Sequence, residues 1–363
     1  MLLGGFLMSN LTPISVLVFG AGAIGTYVGG SLVLAAHRVV FIEQSSIVRE
    51  LQERGLRLDV SIDKRRDAPS PFIVSPNSFT CVSSIKDAMQ YGPFDVAIFA
   101  MKSFDTATAL EEIQPFKESM PPILCLQNGV DNEPAIAATL GNDHVIAGSV
   151  TCSIARNDAG DIILEKARGI GVAAGHPRSE QLVMALNSAC LNAHLYPHAA
   201  DMKWSKVLAN LPGSATSAIV DMSPYEVFSD PGLYALEMRL AKEALAVIAA
   251  QGAHVVNLPK IPVRALALAM HMPSFLARPA MMKVVGGGRG AKMPSFHIDL
   301  HAGRKKSEVE YLHGAVVKYG EKSGVPTPVA RMLTETLLGM VRGDVQVAEF
   351  SRRPDRLIGL LPN

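Results

Sequence analysis

The chain has 363 residues, 48% of them hydrophobic and 18% charged, enough for roughly two domains with sizeable cores and too apolar for a disordered polymer. Thirty-four Lys and Arg against 33 Asp and Glu leave a formal charge of +1, with no overall basic footprint for nucleic acid and no acidic tail. The single Trp and the lack of a regular repeat argue against solenoids and propellers.

The N-terminal stretch is apolar, and its first charged residue is Arg38. A signal peptide wants a positive n-region, which residues 1–10 lack, and glycines at 20, 22, 25, 29 and 30 interrupt the run. No membrane span is expected, since no other run approaches about 20 apolar residues. Residues 1–9 are read as an extension, with Met8 as an alternative functional start.

Residues 14–19 form a short β-branched run, read as a buried strand. Gly20-Ala21-Gly22-Ala23-Ile24-Gly25 follows at once and opens a helix expected over 23–36. In this frame the first glycine makes a tight turn, the second lets a pyrophosphate approach the backbone, and the third allows close helix–strand contact. The helix N-terminus adds free N–H groups and positive dipole, so these six residues are the candidate dinucleotide-phosphate site. A second strand over 39–42 ends at Glu43, where an acidic side chain holds adenosine ribose hydroxyls or else faces solvent. The ribose role repels a 2′-phosphate and points to NAD. Ser45 or Ser46 is the expected cap of the next helix, which stops at Gly55.

Residues 56–62 and 72–82 read as strands, and 95–100 and 123–126 as buried strands, each of the last two followed by a helix, over 106–113 and 132–140. Residues 145–153 and 162–174 flank a hairpin-like turn at Asn157-Asp-Ala-Gly160. Alternation of strand and helix predicts a doubly wound, mostly parallel sheet. Beyond a boundary placed at about residue 195 the signal is helical, over 201–210, 232–250, 307–323 and 328–341. The fold class expected is therefore an α/β Rossmann domain, 1–195, plus an all-α domain, 196–363. The Pro-, Gly- and Met-rich stretch 259–294 is expected to hold one or two short helices. A second glycine pattern, Gly286-x-Gly288-x-x-Ala291, has no β-α frame and reads as a loop.

Cys81, Cys125, Cys152 and Cys190 are widely separated, with no Cys-x-x-Cys pair, and read mainly as small buried thiols of a cytoplasmic protein. No His pair stands out at metal spacing, and no metal site is expected.

Six segments together resemble the ketopantoate reductase (2-dehydropantoate 2-reductase) family. They are Val18-Phe-Gly-Ala-Gly-Ala-Ile-Gly25, Met101-Lys-Ser-Phe-Asp-Thr106, Leu126-Gln-Asn-Gly-Val130, Trp204-Ser-Lys-Val-Leu-Ala-Asn210, Ser307-Glu-Val-Glu-Tyr-Leu-His-Gly-Ala-Val-Val317 and Gly324-Val-Pro-Thr-Pro328. They span nearly the whole chain in the family's order. The resemblance implies a Rossmann domain followed by a helical one, and reduction of a small 2-keto acid by NADPH. It implies Lys206 as catalytic acid, Asn210 one turn later on the same helix face, Glu308 as an active-site carboxylate, Asn128 near the nicotinamide and Lys102 at the adenosine end. The chemistry suits them, because hydride addition to a ketone creates an alkoxide that wants a cation and a proton.

The chain departs from the family at some positions. Ser214 stands where a second substrate-site asparagine is usual, Ser295 is the candidate for the serine that grips the substrate carboxylate, and Gln44 sits where an arginine for the 2′-phosphate is usual. Lys102 and Arg49 remain cations able to reach that phosphate. NADPH is thus favoured by resemblance, with NAD an alternative resting on Glu43. Three functions stay open: a 2-dehydropantoate reductase, a paralogue acting on another 2-keto or imino acid, and a non-catalytic redox sensor. Retention of Lys206, Asn210 and Glu308 favours an enzyme. Nucleic acid and membranes are not expected partners, and the oligomeric state is left open, a homodimer included.

Overall fold

The computed structural model describes residues 12–67, 69–272, 278–279, 281–282 and 293–361. The readings of residues 1–9 and of the glycine pattern at 286–291 lie outside them. Two compact units emerge: residues 1–127, 132–199 and 259–261, and residues 128–131, 200–258 and 262–363.

In the first unit the elements are β1 (Ser15–Phe19), α1 (Ala23–Leu34), β2 (Arg38–Ile42), α2 (Ser45–Arg54), β3 (Leu56–Asp59), β4 (Phe72–Val74), β5 (Thr80–Val82), α3 (Ile85–Ala88), β6 (Val96–Phe99), α4 (Thr106–Ile113), β7 (Ile123–Cys125), α5 (Asn132–Leu140), β8 (Val145–Val150), β9 (Ser153–Asp158), β10 (Asp161–Lys166), β11 (Ile170–Ala173), α6 (Ser179–Ser188) and β12 (Ala193–Tyr196). Eight strands form one sheet in the order β12-β11-β8-β7-β6-β1-β2-β5. Only the β8–β11 pair in it is antiparallel. The continuous apolar runs of β1, β6 and β7 have a simple cause: both sheet faces are covered. Val16 and Val18 pack with Tyr27 and Val28 of α1, while Leu17 and Phe19 pack with Ile113 of α4 and Ile136 of α5.

A smaller sheet, β4-β3-β10-β9, was not expected. The runs 145–153 and 162–174 each read as one strand, but each is cut in two because the chain passes between the sheets. β8 and β11 join the large sheet, and β9 and β10 form the antiparallel hairpin of the small one. All four cysteines are free thiols, Cys81 and Cys125 buried, Cys152 and Cys190 partly so.

The second unit is helical: α7 (Ala199–Asn210), α8 (Ser214–Val220), α9 (Pro224–Ser229), α10 (Pro231–Ala250), α11 (Val263–His271), α12 (Ser295–His301), α13 (Val309–Ser323), α14 (Pro328–Arg342) and α15 (Pro354–Ile358). Trp204 of α7 meets Tyr319 of α13 edge to face at 5.3 Å, an arrangement aromatic rings prefer. Glu243 of α10 accepts from the Val329 and Ala330 N–H groups at 2.9 Å each and so caps α14. Among the described residues no helix is long and apolar enough to cross a membrane.

His313 of α13 is fully buried, its ring 6.0 Å from that of Phe296, and among the described residues neither ring nitrogen has a hydrogen-bond partner. Burial alone pushes its pKa from 6.5 down to about 3, because the apolar surroundings penalise the charged form. The unfolded chain therefore binds this proton at a higher pH than the folded chain does. Stability should fall as pH drops from about 6.5 toward 3, by about 2 kcal/mol at pH 5. Urea unfolding of wild type and His313→Leu between pH 7 and pH 5 checks this, since the variant should lose that part of the slope. Parallel curves would remove His313 as its origin.

Candidate active site

The turn after β1 is built for backbone exposure. Gly20 has a φ of 94°, in the left-handed region that a side chain disfavours. A β-carbon at Gly25 would lie 1.7 Å from the Gly20 carbonyl oxygen, so α1 can sit this close to the turn only with glycine there. A β-carbon at Gly22 would meet nothing within 4 Å among the described residues. Gly22 is also the N-cap of α1, with no side chain capping the helix, and Ala23 and Ile24 form its first turn, half-buried. Open space and the uncapped positive end of a twelve-residue helix thus coincide, which fits a dinucleotide pyrophosphate.

Glu43 lies just past β2, and its carboxylate is tied to this turn. One oxygen accepts from the Ala21 N–H at 2.6 Å and the other from the Gln44 N–H at 3.1 Å. A carboxylate has about four acceptor positions, so two bonds leave capacity for a ligand. Gln44 is exposed and is itself the N-cap of α2, without a side-chain cap bond. Ser45 begins the helix, so neither it nor Ser46 is the cap the sequence suggested. The Cys81 thiol is pushed up to about 12, first by burial and then by the Glu43 charge.

Lys102 follows β6, one residue after Met101, whose backbone nitrogen would be 3.5 Å from a β-carbon at Gly20. Turn, Glu43 and Lys102 therefore gather at the C-terminal ends of the neighbouring strands β1, β2 and β6, the usual ligand edge of a parallel sheet.

Residues that sequence reasoning passed over hold this edge. The Gln127 amide donates to Thr106 Oγ1 at 2.8 Å, Thr106 donates to Asn132 at 2.8 Å, and Asn132 donates to Ser103 at 3.1 Å. Gln127 also donates to the Lys102 carbonyl at 3.3 Å. All four network side chains are buried, so the network fixes the loops that carry Lys102 and precede Asn128. Each neighbours or lies within a segment that carries the family resemblance, but their bonds join residues far apart in the chain.

In the second unit Lys206 and Asn210 lie on successive turns of α7, both half-buried. The Asn210 amide donates to Asn128 Oδ1 at 3.3 Å. Beyond Asn128 the backbone of Gly129 abuts α13, where an added β-carbon would stand 2.7 Å from the Tyr311 carbonyl oxygen. Asp131 then accepts from Lys318 at 2.7 Å and from the Tyr319 hydroxyl at 3.0 Å. Glu308 is the buried N-cap residue of α13, its carbonyl accepting from the Tyr311 and Leu312 N–H groups. The structure thus joins Asn128 to Asn210 and docks the loop it begins on the first turns of the helix that Glu308 caps.

Ser214 and Ser295 are placed differently. Ser214 opens α8, buried, and its hydroxyl donates to the Leu211 carbonyl at 2.8 Å. The turn before it is held by Glu237 of α10, buried, which accepts from the Gly213 N–H at 2.9 Å and from Thr216 at 2.5 Å. Nothing local in the sequence signalled Glu237. Ser295 opens α12 and is exposed.

Comparison with known proteins decides the family. Residues 16–175 match the model for ketopantoate reductase PanE/ApbA, and residues 199–341 match its C-terminal counterpart. The chain belongs to the ketopantoate reductase family. It is 27% identical to the 2-dehydropantoate 2-reductase of Archaeoglobus fulgidus over 330 residues, 90% of this chain and 96% of that one. A PanE/ApbA family ketopantoate reductase of Ralstonia eutropha superposes with a TM-score of 0.74 at 22% identity, covering 91% of this chain and 99% of its own. D-mandelate dehydrogenase, solved in complex with NADH, superposes with a TM-score of 0.71 at 19% identity, covering 92% and 100%. As a member of the ketopantoate reductase family, the chain is an NAD(P)-dependent oxidoreductase with a Rossmann-type unit and a helical one.

Proposed function

We propose that this enzyme reduces a 2-keto acid, with 2-dehydropantoate the first candidate, to the 2-hydroxy acid. The observation that carries this reading is the convergence of Asn128, Asn210 and the start of α13, which gathers three of the family's site segments. The dinucleotide, when bound, supplies the hydride. Gly20, Ala21, Gly22, Ala23, Ile24 and Gly25 would hold its phosphates, Glu43 and Gln44 would face its adenosine ribose, and Lys102 would lie at the same end. Lys206 Nζ gives a proton to the alkoxide oxygen that develops on the substrate, and its charge stabilises that oxygen before the proton moves. The Asn128 and Asn210 amides orient the substrate, and Glu308 holds the ammonium or the product hydroxyl.

A second reading, another 2-keto acid, draws on Ser214 and Ser295. The first commits its hydroxyl to a main-chain carbonyl, and the second is exposed. D-mandelate dehydrogenase has the same fold, and oxidation of mandelate yields an aryl 2-keto acid.

For the dinucleotide, the family resemblance implies NADPH, but the fixed Glu43 carboxylate supports NADH. Held against the Ala21 N–H, its charge would face the adenosine ribose and oppose a 2′-phosphate. The test is oxidation of NADH and of NADPH over a panel including 2-dehydropantoate, phenylglyoxylate and aliphatic 2-keto acids. Wild type should bind NADH at least tenfold more tightly, ~1.4 kcal/mol, and Glu43→Ala should narrow that gap. Turnover with none of the panel would sink the enzymatic reading. Tighter NADPH binding, unchanged in Glu43→Ala, would sink the cofactor assignment.

A further inference from the structure

In the second unit Asp221, His297 and His301 come together, with one ligand atom of each within 4.8 Å of the others. His297 and His301 are four residues apart on α12 and so share one helix face, their rings 4.0 Å apart and tilted by 32°. Asp221 follows α8 with a φ of 51°. Its Oδ1 faces both imidazoles, 2.8 Å from His297 Nε2 and 3.9 Å from His301 Nε2, and its Oδ2 accepts from the Ser351 hydroxyl at 3.2 Å.

We propose that Asp221, His297 and His301 form a binding site for a divalent transition-metal ion of the zinc type. Two imidazoles and a carboxylate are the donors such ions take, with bonds of about 2.0–2.2 Å. Two such bonds at a tetrahedral angle set ligand atoms about 3.4 Å apart, and the observed 2.8 and 3.9 Å bracket that separation. An Asp–His hydrogen bond alone accounts for His297 but leaves His301 at 3.9 Å from the same oxygen, too far to donate. The side chains are 37%, 14% and 42% exposed for Asp221, His297 and His301, so an ion can enter from solvent and keep an open position for water. Ser351 supplies the outer hydrogen bond that orients a ligating carboxylate.

The sequence showed no His pair at metal spacing on first reading, but His297-x-x-x-His301 has that spacing and places two imidazoles on one helix face. The third ligand lies 76 residues earlier in the chain. The ion would clip the end of α8 to α12, the two helices that begin at Ser214 and Ser295. Its occupancy would thereby fix the spacing of two candidate substrate-site helices.

The test uses full-length protein without a polyhistidine tag, stripped with EDTA and titrated with Co(II), then with Zn(II) in competition. One equivalent of Co(II) should give visible d–d absorption, Zn(II) should displace it, and Zn(II) should raise Tm. His297→Gln/His301→Gln should bind at least about tenfold more weakly, and Zn(II) should no longer raise its Tm above that of its own metal-free form. Should that double variant fold poorly, His301→Gln alone, at the most exposed ligand, should still weaken binding and reduce the Tm shift. Wild type that binds neither ion, or one-equivalent binding that a folded variant leaves unaltered, would overturn the site.

Discussion

Replacing Lys206 with alanine is expected to lower turnover by on the order of 10²–10⁴ while leaving dinucleotide affinity unchanged. The proposed proton transfer and the charge on the forming alkoxide both act in the transition state, whereas the dinucleotide turn belongs to the other unit. Lys206→Arg separates the two roles. A guanidinium keeps the cation but is a far weaker acid at neutral pH, so it should recover only a small part of the loss. Glu308→Gln should also slow catalysis in a folded protein, because the amide cannot accept from the ammonium as a carboxylate does. Steady-state turnover with the best 2-keto acid, alongside fluorescence titration of the reduced dinucleotide, measures both effects. A folded Lys206→Ala enzyme with near-normal turnover would remove this lysine from the mechanism. A Glu308→Gln enzyme that is less stable but equally active per folded molecule would reduce Glu308 to a helix cap.

Local signals were legible in the sequence and distant ones were not. The helices Thr106–Ile113 and Asn132–Leu140 begin and end where the alternation of strand and helix placed them. The glycine turn was readable because its chemistry lies within six consecutive residues. Strand breaks near residues 151 and 168 were not, because membership of one sheet or another depends on partners far along the chain. The same limit governs the site. Glu43 was read as facing ribose or solvent, but its bond to the Ala21 N–H spans 22 residues and has no local signature. The Gln127–Thr106–Asn132–Ser103 network and the grip of Glu237 on the α7–α8 turn are likewise products of packing. The motifs pointed to candidate ligand contacts and passed over the residues that hold them in place. Ser214, singled out by the family resemblance, donates its hydroxyl to a main-chain carbonyl, a bond with no signal in the motif.

Gly25→Ala is expected to weaken dinucleotide binding about a hundredfold or more. The added methyl carbon would lie 1.7 Å from the Gly20 oxygen and 2.9 Å from its carbonyl carbon, and neither neighbour is a side chain that can rotate away. The turn or α1 must shift, at a cost on the order of 3 kcal/mol, which corresponds to about two decades in affinity. The shift would also disturb the Ala21 N–H held by Glu43, so phosphate and ribose contacts should fail together. Gly22→Ala is the control with a different expected pattern. Its methyl group meets nothing within 4 Å among the described residues, and a φ of −70° suits alanine, so Tm should stay near wild type. Any affinity lost there reports the approach of the dinucleotide itself. Titrating NADH into both variants and following their thermal unfolding distinguishes the two mechanisms. Wild-type affinity in Gly25→Ala would mean that the turn yields where the geometry says it cannot, and the phosphate site would have to be sought elsewhere.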